Sequence, residues 1–433
     1  METIRWTVNP RLWLREKKTE AQAAAAALLP QEAADQALTF HRQLPGYRPT
    51  PLVCLPRLAS RIGIGGLWIK DESERLNLHS FKALGASYAV YRTILARLDA
   101  DPAELPPSEL FSMPISRRLP DLTLATATDG NHGHALAWMA DLIGIPAVVY
   151  VPKLTVDARI AAMCQLGARV ERIDGTYDET VDQLRADAQR HDWQVVSDTG
   201  WDGYETVPTW VIQGYSTLFS EAQQQLENLE GEKPTHIFIQ AGVGSLAAAA
   251  VAFYIQRFGS HAPTSVVVEP TRAPALFGSI GQEDGLPRRC AGSLDTIMAG
   301  LSCGKPNPVA WPVLRDGVPF FLLCPDFVAA LGMRVYATPL RGDPLVISGE
   351  SGAVTLGALI VLAQQREATV LRNILGLKQD SQVLLINSEG NTDPEGYRDV
   401  VWQGAYAVPE THSIKEEAAG VGHGLVTPAN AVY

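Results

Sequence analysis

The sequence holds no CxxC pair, no long apolar run and no surplus of positive charge. Its five cysteines, Cys54, Cys164, Cys290, Cys303 and Cys324, are odd in number and far apart. A disulfide framework or a zinc site is therefore not expected, no other metal site is expected, and reduced thiols in a cytoplasmic protein fit the pattern. No segment reaches the roughly 18 apolar residues that a membrane helix needs. Arg, Glu and Lys interrupt the first thirty residues, so no secretory signal is expected. A net charge of -11 at pH 7 supplies no basic face for nucleic acid or an anionic membrane. What is present is an enzyme-like composition, 46% hydrophobic and 19% charged over 433 residues, long enough for two domains.

From about Pro51 onward, short apolar runs alternate with longer helix-type segments. Leu67–Lys70, Leu122–Thr128, Ala147–Val151, Arg169–Ile173, Trp193–Val196, His236–Ile239, Ser265–Val268 and Ser381–Asn387 read as strands. Helices are expected from Ala23 to Leu29, after His132, and over 156–166, 177–189, 208–227 and 244–254. Strands of about five residues separated by such helices predict parallel sheets buried by helices on both faces. The stretch from Asp99 to Pro120 breaks the periodicity and reads as a surface insertion. Residues 270–350 read as irregular, and beyond about Gly404 the chain has no periodicity and reads as a disordered tail.

The chemical centre is KDESERLNLHSFKALGASY, Lys70 to Tyr88. Phe81, Leu84, Ala89 and Val90 recur near helical spacing, which places Lys82 near the start of a helix in apolar surroundings. Desolvation lowers an amine's pKa and makes a lysine a nucleophile for an aldehyde. Taken alone, a helical lysine that reaches solvent explains Lys82 as well.

Other constellations stand where strands hand over to helices, the position of ligands in open α/β sheets. Gly242-Val243-Gly244-Ser245-Leu246 opens a helix whose amides and dipole favour an anion. With Glu269 closing the next strand it also fits a dinucleotide fingerprint, and a mere tight turn is the third reading. In Thr126-Ala127-Thr128-Asp129-Gly130-Asn131-His132-Gly133, Asp129 suits acid–base work and Asn131 offers a donor and an acceptor. Alternatively, either residue caps the following helix. Asp198, in SDTGWDGY, lies beside aromatics that raise a carboxylate's pKa, or caps a turn. Ser348-Gly349-Glu350-Ser351-Gly352 and Ser388-Glu389-Gly390 offer further hydroxyls and carboxylates.

Taken together, KDES with FKALGASYA, TATDGNHG, DTGWDGYE, QAGVGS, DTIMAGLSCGKPN, SGESGA and SEGNTDPEGYR resemble the fold type II family of pyridoxal-phosphate enzymes. Within it the likeness is greatest to ammonia-lyases that act on 2,3-diaminopropionate. The resemblance implies an α/β fold with two domains, each a mostly parallel sheet flanked by helices. The large, discontinuous one would take residues 1–89 and 205–404, and the small one 90–204, leaving 405–433 as tail. It implies that Lys82 carries pyridoxal 5'-phosphate, that Asn131 approaches the ring hydroxyl, that Gly242, Val243, Gly244 and Ser245 bind the phosphate, and that Ser388 faces the pyridine nitrogen.

The same resemblance assigns Asp129 to the Cα proton of the D substrate and Asp198, with Lys82, to that of the L substrate. The expected outcome is α,β-elimination to pyruvate and two ammonia, by a homodimer. Phe81, Thr128, Glu350, His79 and His134 are candidates for the substrate pocket. His79 and His134 depart from the family's pattern, and they either bear on substrate choice or merely line solvent. The rival readings are a related dehydratase of serine, threonine or hydroxyaspartate, a nicotinamide-dependent dehydrogenase, and a non-catalytic binding protein.

Overall fold

The computed structural model describes residues 4–13, 15–112, 114–230, 233–291, 293–364 and 368–409. Two sheets carry the fold. The larger has seven strands, β1 (Arg5–Val8), β2 (Leu52–Cys54), β3 (Gly66–Asp71), β8 (His236–Gln240), β9 (Thr264–Pro270), β10 (Phe320–Cys324) and β11 (Gln382–Asn387), in the order β1-β10-β9-β8-β11-β3-β2. Its inner pairs are parallel. The edge strands β1 and β2 run antiparallel to their neighbours. The smaller sheet is wholly parallel, with β4 (Leu124–Ala127), β5 (Ala147–Pro152), β6 (Arg169–Ile173) and β7 (Gln194–Val195) in the order β6-β5-β4-β7.

Strand side chains alternate between faces, and here both faces are covered. Ile237, Ile239, Leu384 and Ile386 pack into one core. Phe238, Val383 and Leu385, which alternate with them in sequence, pack into the other. That is why these strands read as continuous apolar runs rather than as an apolar–polar alternation.

Two helices set the position of Lys82. The Lys82–Leu98 helix crosses the long Thr206–Glu230 helix where Gly85 and Gly214 face each other. A Cβ on Gly214 would lie 2.6 Å from the Leu84 carbonyl oxygen, and one on Gly85 would lie 2.3 Å from the Tyr215 ring. Only glycine permits the backbones to approach this closely. The N-terminal end of the Lys82–Leu98 helix is thereby fixed near the carboxyl ends of β8 and β11.

Two expectations need correction. The stretch 99–120 is not a surface insertion throughout, because Leu105, Leu110 and Ile115 are buried in the main core and the Tyr91 hydroxyl donates to the Leu105 carbonyl at 2.8 Å. Residues 270–350 contain β10, fully buried at the sheet's interior, and the Asp326–Ala337 helix. Of the expected tail, residues 410–433 lie outside the described residues. Among the described residues, no helix is long and apolar enough to cross a membrane.

Candidate active site

Lys82 opens its helix, and its side chain is 14% exposed. The ammonium donates to Asp198 Oδ2, and Tyr177 donates to the other carboxylate oxygen at 3.2 Å. The aromatic ring of Phe81 lies 5.4 Å from the Lys82 nitrogen. A cation at a helix N-terminus is opposed by the helix dipole, so the pair depends on the carboxylate. Burial by itself would lower the Lys82 pKa, but the charges of Asp198, Tyr215 and Asp129 more than reverse it and the ammonium is favoured. The expectation of an amine depressed by desolvation is corrected accordingly. For Asp198, burial pushes the pKa up, while Lys82, His132 and the two hydrogen bonds outweigh it and hold the group at about 2.

One pocket gathers Phe81, Lys82, Thr128, Asp129, Asn131 and Asp198. The Gly242–Ser245 turn and Ser388 line the same pocket. Competing structural roles can now be assigned. Thr128, not Asp129 or Asn131, caps the turn, its hydroxyl accepting from the amides of Gly130 at 2.9 Å and Gly133 at 3.1 Å. Asp129 is left with a buried, unpartnered Oδ2, and burial raises its pKa. Asn131 donates to Glu389 Oε2 at 2.5 Å. Asp198 is no cap either, since its carboxylate is engaged by Lys82 and Tyr177.

Three further candidates fall elsewhere. Glu350 lines a wider adjoining cavity of about 850 Å³, where burial and then Glu389 push its carboxyl up to about 7. His79 and His134 do not line the pocket. His79 has a half-exposed side chain, sits at φ +57° and binds the Ser73 carbonyl through Nδ1 at 2.8 Å. His134 is partly buried, and burial followed by the charge of His79 lowers its pKa.

The turn at Gly242–Ser245 is built for an anion. Gly244 has φ +99°, the left-handed region, and the Ser245–Phe258 helix starts immediately after it, leaving first-turn amides without intrahelical acceptors. Ser245 differs from expectation in one respect. Its hydroxyl donates to the Asp198 carbonyl at 2.7 Å and accepts from Asn307 Nδ2 at 2.9 Å, so its main-chain amide is what it can offer a phosphate. Ser388 Oγ accepts from Gln240 Nε2 at 2.8 Å, which leaves the Ser388 proton free for a ring nitrogen. An amine, an anion-binding turn and a hydroxyl donor in one pocket fit pyridoxal 5'-phosphate.

Glu269 does not fit a dinucleotide. It is fully buried, accepts from the amides of Leu276 and Phe277 at 2.7 Å each, and is pushed up to about 8 by burial. It is a cap, unavailable to a ribose.

Comparison with known proteins agrees with this geometry. The family model described as pyridoxal-phosphate dependent enzyme matches residues 43–376. The chain belongs to that family. As a fold type II pyridoxal-phosphate dependent enzyme, it is 40% identical over 407 residues to the diaminopropionate ammonia-lyase of Salmonella typhimurium, covering 94% of this chain and 100% of that protein. It is 42% identical over 381 residues to the Escherichia coli enzyme of the same name, covering 88% and 94%. The crystal structure of the Escherichia coli enzyme in complex with an aminoacrylate-PLP azomethine reaction intermediate superposes with a TM-score of 0.85 at 39% identity, over 94% of this chain and 99% of that one.

Sequence reasoning assigned no role to Tyr177, Gln240, Asn307 or Cys303 and offered Ser351 only as one of several hydroxyls, yet all of them touch the pocket or its supports. Asn307 and Cys303 lie in DTIMAGLSCGKPN and Ser351 in SGESGA. The words were visible, but which of their side chains turn inward is set by packing.

Proposed function

We propose that this enzyme eliminates the β-amine of 2,3-diaminopropionate, from both enantiomers, to give pyruvate and two ammonia with consumption of one water. The observation that carries the proposal is that one pocket holds Lys82 together with two buried carboxyls, Asp129 and Asp198. The full-length likeness to the Salmonella ammonia-lyase supports it.

Lys82 would hold pyridoxal 5'-phosphate, with the amides of Gly242, Val243, Gly244 and Ser245 at the phosphate, Asn131 near the ring hydroxyl and Ser388 at the ring nitrogen. When bound, the cofactor accepts the electron pair left at Cα, which makes departure of a β-substituent feasible. The two carboxyls differ in proton affinity. Asp198 is ionised at neutral pH. Asp129, raised by burial, takes and holds a proton more readily. A Cα proton leaves perpendicular to the conjugated plane, and the enantiomers present it on opposite sides. Two bases therefore suit a substrate of either hand, with Asp129 serving the D form and Asp198, with Lys82, the L form.

The same proposal divides the molecule into a large domain (1–89 and 205–404) and a small one (90–204), each built on one of the two sheets, with closure excluding water from the pocket. It includes a homodimer and a cytoplasmic setting, the latter consistent with five unpaired cysteines.

The test compares enantiomers. Asp129→Asn should lower kcat/KM for D-diaminopropionate at least about 100-fold, and by a smaller factor for the L form, whose Cα base is Asp198, in a coupled pyruvate assay. Equal losses on both enantiomers would refute the division of labour.

A further inference from the structure

Two oxygen atoms beside the pocket have no partner. Asp129 Oδ2 and Ser351 Oγ are both inaccessible to solvent and form no hydrogen bond. They converge on Gly300. A Cβ built there would lie 3.1 Å from Ser351 Oγ and 3.3 Å from Asp129 Oδ2. All three residues line the Lys82 pocket, and Ser351 is 3% exposed. A buried hydroxyl and a buried carboxylate oxygen left unsatisfied are costly, so a pair of them on the side of Gly300 where no side chain stands calls for a ligand group that satisfies both.

The charge around the gap specifies that group. Asp129, Asp198, Glu350 and Glu389 are the carboxyls whose charges act on one another here, and Lys82 and Arg159 are the cations. Carboxyls outnumber cations. The gap also lies on the way in from outside, because Asp129, Tyr177, Ala299 and Ser302 line both the Lys82 pocket and the wider cavity. Among the charged residues of that outer cavity, Asp174, Glu179, Asp295, Glu350, Asp393 and Asp399 stand against Lys153 and Arg159. An ammonium has only donors and no acceptor, so it can meet a carboxylate and a hydroxyl oxygen together. A substrate hydroxyl brings one donor and no charge.

We propose that Ser351 Oγ and Asp129 Oδ2, spaced by the missing side chain of Gly300, form a subsite for the second ammonium of a diamino acid, and that Ser351 is a specificity-determining residue. This rests on the elimination reading above and deepens it. Such a subsite would favour a β-amino substrate over its β-hydroxy counterpart, serine. Asp129 contributes one oxygen to the subsite while its other oxygen stays available for the Cα proton.

The experiment uses the cofactor-loaded enzyme and two substrates. Ser351→Ala should lower kcat/KM for 2,3-diaminopropionate about 10- to 100-fold, the effect of one hydrogen bond to a charged group, mainly through KM. Turnover of D-serine should change less than about twofold. Gly300→Ala should act in the same direction by filling the gap. A second readout is independent of turnover: diaminopropionate should shift the visible band of Ser351→Ala only at higher concentration than in wild type, while D-serine titrates both alike. Equal losses on both substrates, or unchanged diaminopropionate binding, would overturn the subsite while leaving the elimination reading intact. Wild-type enzyme that binds cofactor but releases no pyruvate from diaminopropionate would overturn both.

Discussion

Lys70 and Lys82 lie on one segment and each pairs with a buried carboxylate, yet their surroundings are opposite in kind. Around Lys70 every donor is spent. Its ammonium donates to the Thr50 carbonyl at 2.7 Å, Glu221 at 2.6 Å and Gln225 at 3.1 Å. Arg75 completes the cluster, bonding Glu72 at 2.7 and 2.8 Å and Glu221 at 2.9 and 2.8 Å. Around Lys82 the ammonium donates to Asp198, and the neighbouring Asp129 and Ser351 keep unpartnered oxygens. The first arrangement has nothing left to give a ligand and holds β3 and the segment after it to the Thr206–Glu230 helix. The second has open valences, and open valences in a buried place are where chemistry is done. Burial and charge alone do not distinguish the two.

The largest expected effect separates the lysines outright. Lys82→Ala should abolish the cofactor's visible band and lower activity at least about a thousandfold, whereas Lys70→Ala should keep the band. A band retained in Lys82→Ala would reverse the assignment. Next comes the satisfied network. Glu221→Gln leaves Lys70 and Arg75 with Glu72 as their remaining carboxylate there, and removal of one partner from a buried ion pair costs about 3–5 kcal/mol. The denaturant midpoint should fall while turnover per folded molecule stays within about twofold, and an unchanged midpoint would show that the network is not structural.

The smallest effect is on acid stability. Asp198 and Glu221 are both held at about 2 by their cations against burial. A depressed carboxylate contributes stability that is complete above the ordinary range near about 4 and is lost as pH falls toward 2. Urea stability should therefore drop across that window, and less steeply in Glu221→Gln.

Much of this was legible in the sequence, for reasons that differ by region. The inner parallel strands other than β10 read correctly because both of their faces are buried, which gives unbroken apolar runs bounded by helices. The edge strands β1 and β2 did not, being three or four half-buried residues long. β10 was hidden in a Gly- and Pro-rich stretch, where a five-residue apolar run fits a strand or a buried helix equally. In the site, Lys82, Asp129 and Asp198 were legible as parts of quoted words. The cap at Thr128 and the orphaned Ser351 were not, because local sequence does not say which neighbour satisfies an amide or which way a side chain turns. The Lys82 pKa was misjudged for the same reason. Its partner is 116 positions away.

The central claim is most directly tested by supplying the purified wild-type protein with pyridoxal 5'-phosphate and measuring pyruvate and ammonia released from each enantiomer of 2,3-diaminopropionate. The account predicts pyruvate from both, with two ammonia for each pyruvate. A cofactor band with no pyruvate from either enantiomer would contradict it.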